Sequence, residues 1–298
     1  MKLRHGQAVA LMVLVTLLWS TAGVVARQLE QARAFEITFW RSAFTVLSML
    51  LILPLWQGSG VWQRIRQSGW VLWASGLCWS IMFTAFMVAL ALTSVANVLV
   101  TTAAGPLLTA LAARLLIGHR LPLRTGVAIV VAVAGIAWMY GRQIEQGQWL
   151  GSLVAFAVPL AGALNWTLAQ RSQRHGQGID LVPAVLIGAV LSAACTLPLA
   201  WPLQASARDI LLLAGLGFGQ LAVPCVLAVI CARVLSAPEM SLLSLLETVF
   251  GIALAWLGAG EVPQTYVWQG GFMVLGALLV NEWLARRASV RLTRAQGE

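Results

Sequence analysis

One carboxylate lies deep inside a long apolar run of the sequence. Glu247 is the eleventh residue of the run 237–257, whose only other charged residue is Glu239. A charge at the centre of a membrane-spanning helix costs roughly 2.5–3.5 kcal/mol. Two interpretations therefore stay open. Either the carboxylate faces a cavity, where it binds protons or a substrate ammonium group, or it ties its helix to a neighbour through Ser244 or Thr248.

Arg41 is the second charged side chain within an apolar stretch. It lies five residues after Glu36, at which we expect its helix to begin. Five residues at a rise of about 1.5 Å each do not reach the middle of a bilayer. We therefore favour a structural role, in which the side chain extends to the membrane surface or pairs with Glu36. The alternative is a guanidinium in the outer part of a cavity that attracts a carboxylate.

A short polar segment precedes a proline in another apolar run. Asn97 and Thr101 are four residues apart and share a helix face, so they bind a substrate or hydrogen-bond to an adjacent helix. Pro106 lacks an N–H and frees a carbonyl near Thr102, which predicts an irregular helix beside a cavity. Packing is the favoured role for each of these residues taken singly.

The sequence contains 14 tryptophans, and their positions indicate two uses. Trp19, Trp79 and Trp166 lie deep in apolar runs, where they pack or offer an apolar or cation-π surface to a substrate. Packing is the favoured role for any one of them. Eight others lie near predicted helix ends and are typical of anchors at the membrane interface: Trp56, Trp62, Trp70, Trp138, Trp149, Trp201, Trp268 and Trp283.

Patterns typical of enzymes are absent from the sequence. His5, His119 and His175 occur singly without metal-ligand spacing, and there is no GxSxG, HExxH or P-loop motif. The segment 215–219, with glycine at every second position, lies within an apolar run rather than after a strand. We therefore expect no enzyme, cofactor or metal. The cysteines lack a CxxC pair and are interpreted as small buried apolar residues: Cys78, Cys195, Cys225 and Cys231.

The elements that position these residues follow from composition. Hydrophobic residues make up 60% of the chain, charged residues 10%, and the mean hydropathy is +0.85. Too little polar surface remains to cover a soluble globule, so we predict an all-α integral membrane protein. A spanning helix needs roughly 20 apolar residues. Ten such spans are predicted, at 7–27, 36–55, 69–91, 94–117, 122–140, 150–171, 181–202, 209–232, 237–257 and 266–285.

The formal charge of +9 reports orientation rather than a nucleic-acid partner. With the N-terminus inside, four arginines fall outside, Arg41 lies within a span, and the other fourteen basic residues fall inside. This bias predicts a multi-pass protein of the bacterial inner membrane with both termini cytoplasmic. The first apolar run is long enough to span and lacks a clear cleavage site, so we interpret it as a helix rather than a signal peptide.

Weak internal similarity divides the chain into two five-span halves, 1–145 and 146–298. An odd number of spans per half inverts the second copy, an architecture that is common in secondary transporters and lets a monomer enclose a central site. The matched pairs are Leu115–His119 with Ala255–Gly258, Leu121–Pro122 with Val262–Pro263, Gly135 with Gly276, and Trp19–Ser20 with Trp166–Thr167.

Four motifs carry a resemblance to a known family over almost the whole chain: Leu18-Trp19-Ser20, Phe39-Trp40-Arg41, Gly105-Pro106-Leu107-Leu108, and Leu245 to Phe250 followed by Gly258 and Glu261. The sequence resembles EamA-type members of the drug/metabolite transporter superfamily. Thr248 departs from the pattern, because members commonly have a proline there, whereas Pro106 keeps it.

The resemblance implies a secondary transporter for small molecules, and export of metabolites such as amino acids is the favoured expectation. Protons or the substrate's own gradient would drive it. Efflux of drugs or cationic compounds is an alternative, as is a membrane scaffold or sensor that transports nothing. Candidate substrate or coupling residues are Glu247, Trp19, Ser20, Asn97, Thr101, Trp166, Trp79, Arg41 and Ser244.

Overall fold

A computed structural model describes residues 3–117, 123–145, 149–174, 179–235 and 237–295, and within them every regular element is a helix. The helices are α1 (His5–Ala26), α2 (Ala34–Gln57), α3 (Val61–Gln67), α4 (Trp70–Leu92), α5 (Val95–Thr102), α6 (Gly105–Ile117), α7 (Leu123–Glu145), α8 (Trp149–Arg174), α9 (Val182–Ala200), α10 (Ala207–Gly215), a π-helical segment (Leu216–Ala222), α11 (Val223–Cys231), α12 (Ala237–Ala259) and α13 (Thr265–Ala295).

Eight segments of the described chain are long and apolar enough to cross a membrane. They coincide with predicted spans 1–4 and 6–9, which confirms the all-helical membrane class. In the fifth predicted span α7 contributes a shorter apolar stretch, Gly126–Met139, and α13 covers the tenth. The count of ten spans therefore remains a prediction. The residues 118–122, which carry part of the predicted repeat and His119, lie outside the described chain, as does His175.

Two spans are irregular where the sequence has a proline. The fourth predicted span is split, because α5 ends at Thr102 and α6 begins at Gly105. Pro106 occupies the second position of α6, where no intrahelical N–H bond is needed. The prediction of an irregular helix at Pro106 is thus confirmed. The π-helical segment likewise ends just before Pro224, the second residue of α11, whereas Pro159 lies within continuous α8.

Glycines allow close helix packing at two contacts. A Cβ atom on Gly188 of α9 would lie 2.4 Å from the Cβ of Trp79 on α4. A Cβ atom on Gly270 of α13 would lie 2.3 Å from the Cγ of Met139 on α7. Small residues let helix backbones approach closely in this way. At Gly188, α9 lies directly against α4, the helix that carries Trp79.

One end of the bundle, here named the Arg27 end, is held together by carboxylates that accept bonds from loops. Glu261 accepts the Arg27 Nε–H at 2.9 Å and the Val95 N–H at 2.6 Å. Arg27 also donates to the Thr93 carbonyl at 2.8 Å. The buried Asp209 accepts three backbone N–H groups, from residues 30–32, at 2.9–3.0 Å. These bonds join the ends of α1, α4 and α12 to the starts of α5 and α10.

At the opposite end, the Arg233 end, two ion pairs are exposed. Arg233 contacts Asp180 at 2.7 Å, with side chains 42% and 38% exposed. His5 contacts Glu239 at 2.9 Å, with side chains 61% and 42% exposed. A cavity of about 320 Å³ lies here between the end of α8 and the segment joining α11 to α12, and Trp166 forms part of its wall. This end is therefore more open than the Arg27 end.

Candidate functional site: a central cavity

A cavity of about 130 Å³ lies among the middle portions of the helices. This volume is roughly ten times the minimum cavity volume that holds one water molecule. Its wall comes from α1, α2, α4, α5, α6, α8, α12, and the π segment with α11. Helices from both predicted halves thus meet around one space, which is large enough for a small organic molecule.

Aromatic rings form one wall of this cavity. Trp79 and Trp166 meet edge to face, with ring centroids 5.9 Å apart, and Trp79 packs on Phe83 at 5.4 Å. Trp19 lies on the wall contributed by α1. All three tryptophans predicted to lie deep are buried, at 9% exposure or less. The eight predicted as interfacial anchors are 37–72% exposed, so the sequence separated the two groups correctly.

Glu247 lies in the cavity wall on α12. Among the described residues its carboxylate has no hydrogen-bond or ion-pair partner. The two hydroxyl groups on either side donate elsewhere, Ser244 to the Met240 carbonyl at 2.8 Å and Thr248 to the Leu99 carbonyl at 3.2 Å. Among the described residues, neither hydroxyl is therefore bonded to the Glu247 carboxylate.

Arg41 lies in the same wall, and neither of the two structural contacts expected for it, the membrane surface or Glu36, is present. The side chain is 1% exposed and does not reach the membrane surface. Its Nη1–H donates to the Gln220 amide oxygen at 3.2 Å and its Nη2–H to the Phe83 carbonyl at 2.6 Å. Glu36 is not its partner, because Glu36 accepts backbone N–H groups from residues 204 and 205 at 2.7 Å. The guanidinium extends sideways into the bundle, where α4 and the π segment supply acceptors.

Three candidates lie outside the described cavity wall. Asn97 donates its amide to Ser152 of α8 at 2.7 Å, and Thr101 donates to the Asn97 carbonyl at 2.8 Å. Ser20 donates to the Leu17 carbonyl at 2.7 Å, within its own helix. For Asn97 the structure therefore shows the helix-joining alternative, which links α5 to α8. Trp19, Trp79, Trp166, Arg41, Ser244 and Glu247 are brought together by contrast.

Several cavity residues were not anticipated. Gln220 is the only amide in the apolar run 210–232, and that isolation is a signal that would have found it. Thr109 and Ser241 share a hydrogen bond of 2.9 Å between α6 and α12, and both line the cavity. Cys225 also lies in the wall. The sequence does not indicate the bond between Thr109 and Ser241, because these residues are 132 positions apart.

Within the described residues no three His, Cys, Asp or Glu side chains lie close enough to hold a metal ion. The described thiols form no disulfide; three are buried and Cys195 is exposed, contrary to its predicted burial.

The fold and its cavity define a multi-pass membrane protein with a site enclosed by its helices. Residues 6–141 match the model of the EamA-like transporter family, from α1 into α7. This match covers slightly less than half of the chain and is consistent with the drug/metabolite transporter superfamily. It agrees with the resemblance found in the sequence motifs of that segment.

The whole fold also has relatives among solved structures, where 26 chains match. One of them, titled "Crystal structure of protein", aligns with 95% of this chain and 100% of its own length. The TM-score is 0.69 and the sequence identity is 21%, a likeness of fold. No curated protein matches the sequence.

Proposed function

We propose that the protein is a secondary transporter that exports small metabolites such as amino acids by alternating access around the central cavity. The observation that carries the proposal is the carboxylate of Glu247, which lies in the cavity wall without a protein partner among the described residues. A free carboxylate there binds a substrate ammonium group or a proton. Proton coupling is the driving mechanism we infer from it.

Helix packing supports two inverted five-span halves. Numbering the predicted spans 1–10, an inverted repeat exchanges each span with the one five places along. The packed pairs obey that exchange. The contact of α1 with α12 (spans 1 and 9) corresponds to that of α8 with α5 and α6 (spans 6 and 4). The contact of α4 with α8 (spans 3 and 6) corresponds to that of α11 with α1 (spans 8 and 1). The pairs α2–α9, α7–α13 and α5–α12 map onto themselves. We propose residues 1–145 and 146–298 as the two halves.

Matching residues of the proposed halves meet in the cavity. Trp19 and Trp166 both line it, as do Pro106 and Thr248. Such placement suits a site on the axis that relates the halves, where each half contributes equivalent groups. A monomer then encloses the full pathway. From the charge bias we propose that both termini lie in the cytoplasm and that the membrane is the bacterial inner membrane. The proposal of export rests on the family resemblance.

The test is flux through purified protein in proteoliposomes, with a panel of amino acids, sugars and quaternary amines at two pH values. We expect saturable flux of amino acids that falls sharply in Glu247→Gln, because the neutral amide neither titrates nor pairs with an ammonium group. Glu30→Gln is the matched control, since it removes an exposed carboxylate that pairs with Arg208 far from the cavity.

Each outcome assigns a class. Flux that is unchanged in Glu247→Gln, with the same pH dependence, would remove Glu247 from coupling and binding. Preferential flux of quaternary amines would favour efflux of cationic compounds, for which the wall of Trp79 and Trp166 is suited by cation-π attraction. No saturable flux of any compound would contradict transport and favour a scaffold or sensor.

A further inference from the structure

Arg41 is a buried arginine that forms no ion pair with a carboxylate in the described chain. Arg27, Arg208 and Arg233 each contact a carboxylate, whereas the recorded partners of Arg41 are a side-chain amide and a backbone carbonyl. Burying a guanidinium without an anion is strongly unfavourable. At 1% exposure Arg41 carries that cost in a wall of the cavity. An anion that enters the cavity would offset it.

The guanidinium has donors left for such an anion. Arginine has five N–H groups, and a carboxylate takes two of them in a fork. The two recorded bonds of Arg41 leave three without an acceptor among the described residues, one of which is the buried Nε–H. The bond to the Phe83 carbonyl, at 2.6 Å, holds one edge firmly on α4. The other edge faces the π segment.

Gln220 covers that second edge loosely. Its amide oxygen accepts from Arg41 at 3.2 Å, and its amide nitrogen donates to the Trp19 carbonyl at 3.3 Å. Both distances are at the long end for N–H···O bonds. Gln220 also lies on the π-helical segment, and π-helical turns are frequent at functional sites. A neutral oxygen held this loosely is readily replaced by a charged one.

We propose that Arg41 is the carboxylate receptor of the cavity and that Gln220 occupies the acceptor position which a ligand carboxylate takes over. The ligand is a small zwitterion: its carboxylate binds Arg41, its ammonium group binds Glu247, and its apolar body packs on Phe83 and Trp79. The ring contact at 5.4 Å places those side chains next to the Phe83 carbonyl that anchors Arg41. The inference rests on the proposed transport function and specifies its substrate class.

The decisive variant is Gln220→Glu. It has nearly the shape of glutamine but supplies a permanent carboxylate to Arg41, so it should fold and compete with the ligand. Probes are L-phenylalanine, 3-phenylpropanoate, which lacks the ammonium group, and 2-phenylethylamine, which lacks the carboxylate. Gln67→Glu adds the same charge at an exposed position on α3 and serves as the control. Gln220→Ala removes the cover from Arg41 without adding charge.

Binding is measured from tryptophan fluorescence, and flux in proteoliposomes. In the unmodified protein, L-phenylalanine should bind at least about tenfold more tightly than 2-phenylethylamine, the loss expected when a buried charge pair is left incomplete. Gln220→Glu should weaken both carboxylate probes by about tenfold or more while retaining 2-phenylethylamine. Gln220→Ala and Gln67→Glu should keep the original preference.

Equal loss of all three probes in Gln220→Glu, or no loss, would overturn the receptor role of Arg41 while transport stands. The same holds if other compounds are transported and none of the three probes binds. If Gln220→Glu does not fold, an equal affinity of the unmodified protein for L-phenylalanine and 2-phenylethylamine overturns the proposal by itself. Absence of flux for every compound of the panel removes the proposed function and this inference with it.

Discussion

The two ends of the bundle are closed by different chemistry. At the Arg27 end, Asp209, which is fully buried, and Glu261 accept backbone N–H groups and so fix the loops themselves. At the Arg233 end, exposed side chains pair with each other beside a cavity that shares Trp166 with the central one. Exposed pairs contribute only about 0–1 kcal/mol each. The Arg233 end should therefore open at lower cost, and the Arg27 end is the tighter closure.

The largest effect is expected for Asp209→Ala. The Asp209 carboxylate accepts three loop N–H groups, from residues 30–32, and alanine offers them no acceptor. Loss of these bonds should lower the free energy of unfolding by about 2 kcal/mol. The melting temperature of the detergent-purified protein measures it. A shift no larger than that of Asp180→Asn would contradict the difference between the two ends.

A smaller effect is expected for Glu261→Gln. The amide keeps the bond to the Val95 N–H but loses the charge that attracts Arg27, so the Arg27 end should open more often. The free energy that favours the closed Arg27 end should fall by about 1 kcal/mol, which raises the open fraction roughly fivefold. The measurement is labelling of Cys225 in the cavity by an impermeant thiol reagent applied from that end, with the other cysteines replaced.

The direction of that change separates gating from general loosening. Faster labelling from the Arg27 end with slower labelling from the Arg233 end is expected of alternating access. Faster labelling from both ends would mean that Glu261→Gln loosens the bundle without acting as a gate.

The smallest effect is expected for Asp180→Asn. Its ion-pair partner Arg233 is 42% exposed, so water and salt screen the charge. Stability should change by less than about 1 kcal/mol. Labelling of Cys225 from the Arg233 end should rise slightly, and added salt should reproduce that rise in the unmodified protein. A loss as large as that of Asp209→Ala would show that the Arg233 end is as tightly closed.

Much of the fold followed from the sequence because a bilayer permits few alternatives. Backbone groups in lipid must bond within their own helix, so the length of each apolar run predicted a span. The break at Pro106 followed from its missing N–H, and the exposure of the anchoring tryptophans followed from their places at helix ends. These are local properties, and a sequence states them directly.

Tertiary structure alone decided which side chains meet. A spanning helix is apolar on every face, so periodicity does not tell which face borders a cavity. For that reason the sequence favoured the membrane surface or Glu36 as the contact of Arg41 and left Asn97 between a substrate and an adjacent helix. Packing turned Arg41 inward and bonded Asn97 to α8. Gln220 meets Arg41 across 179 residues of chain. Only the packing of α2 against the π segment creates that contact.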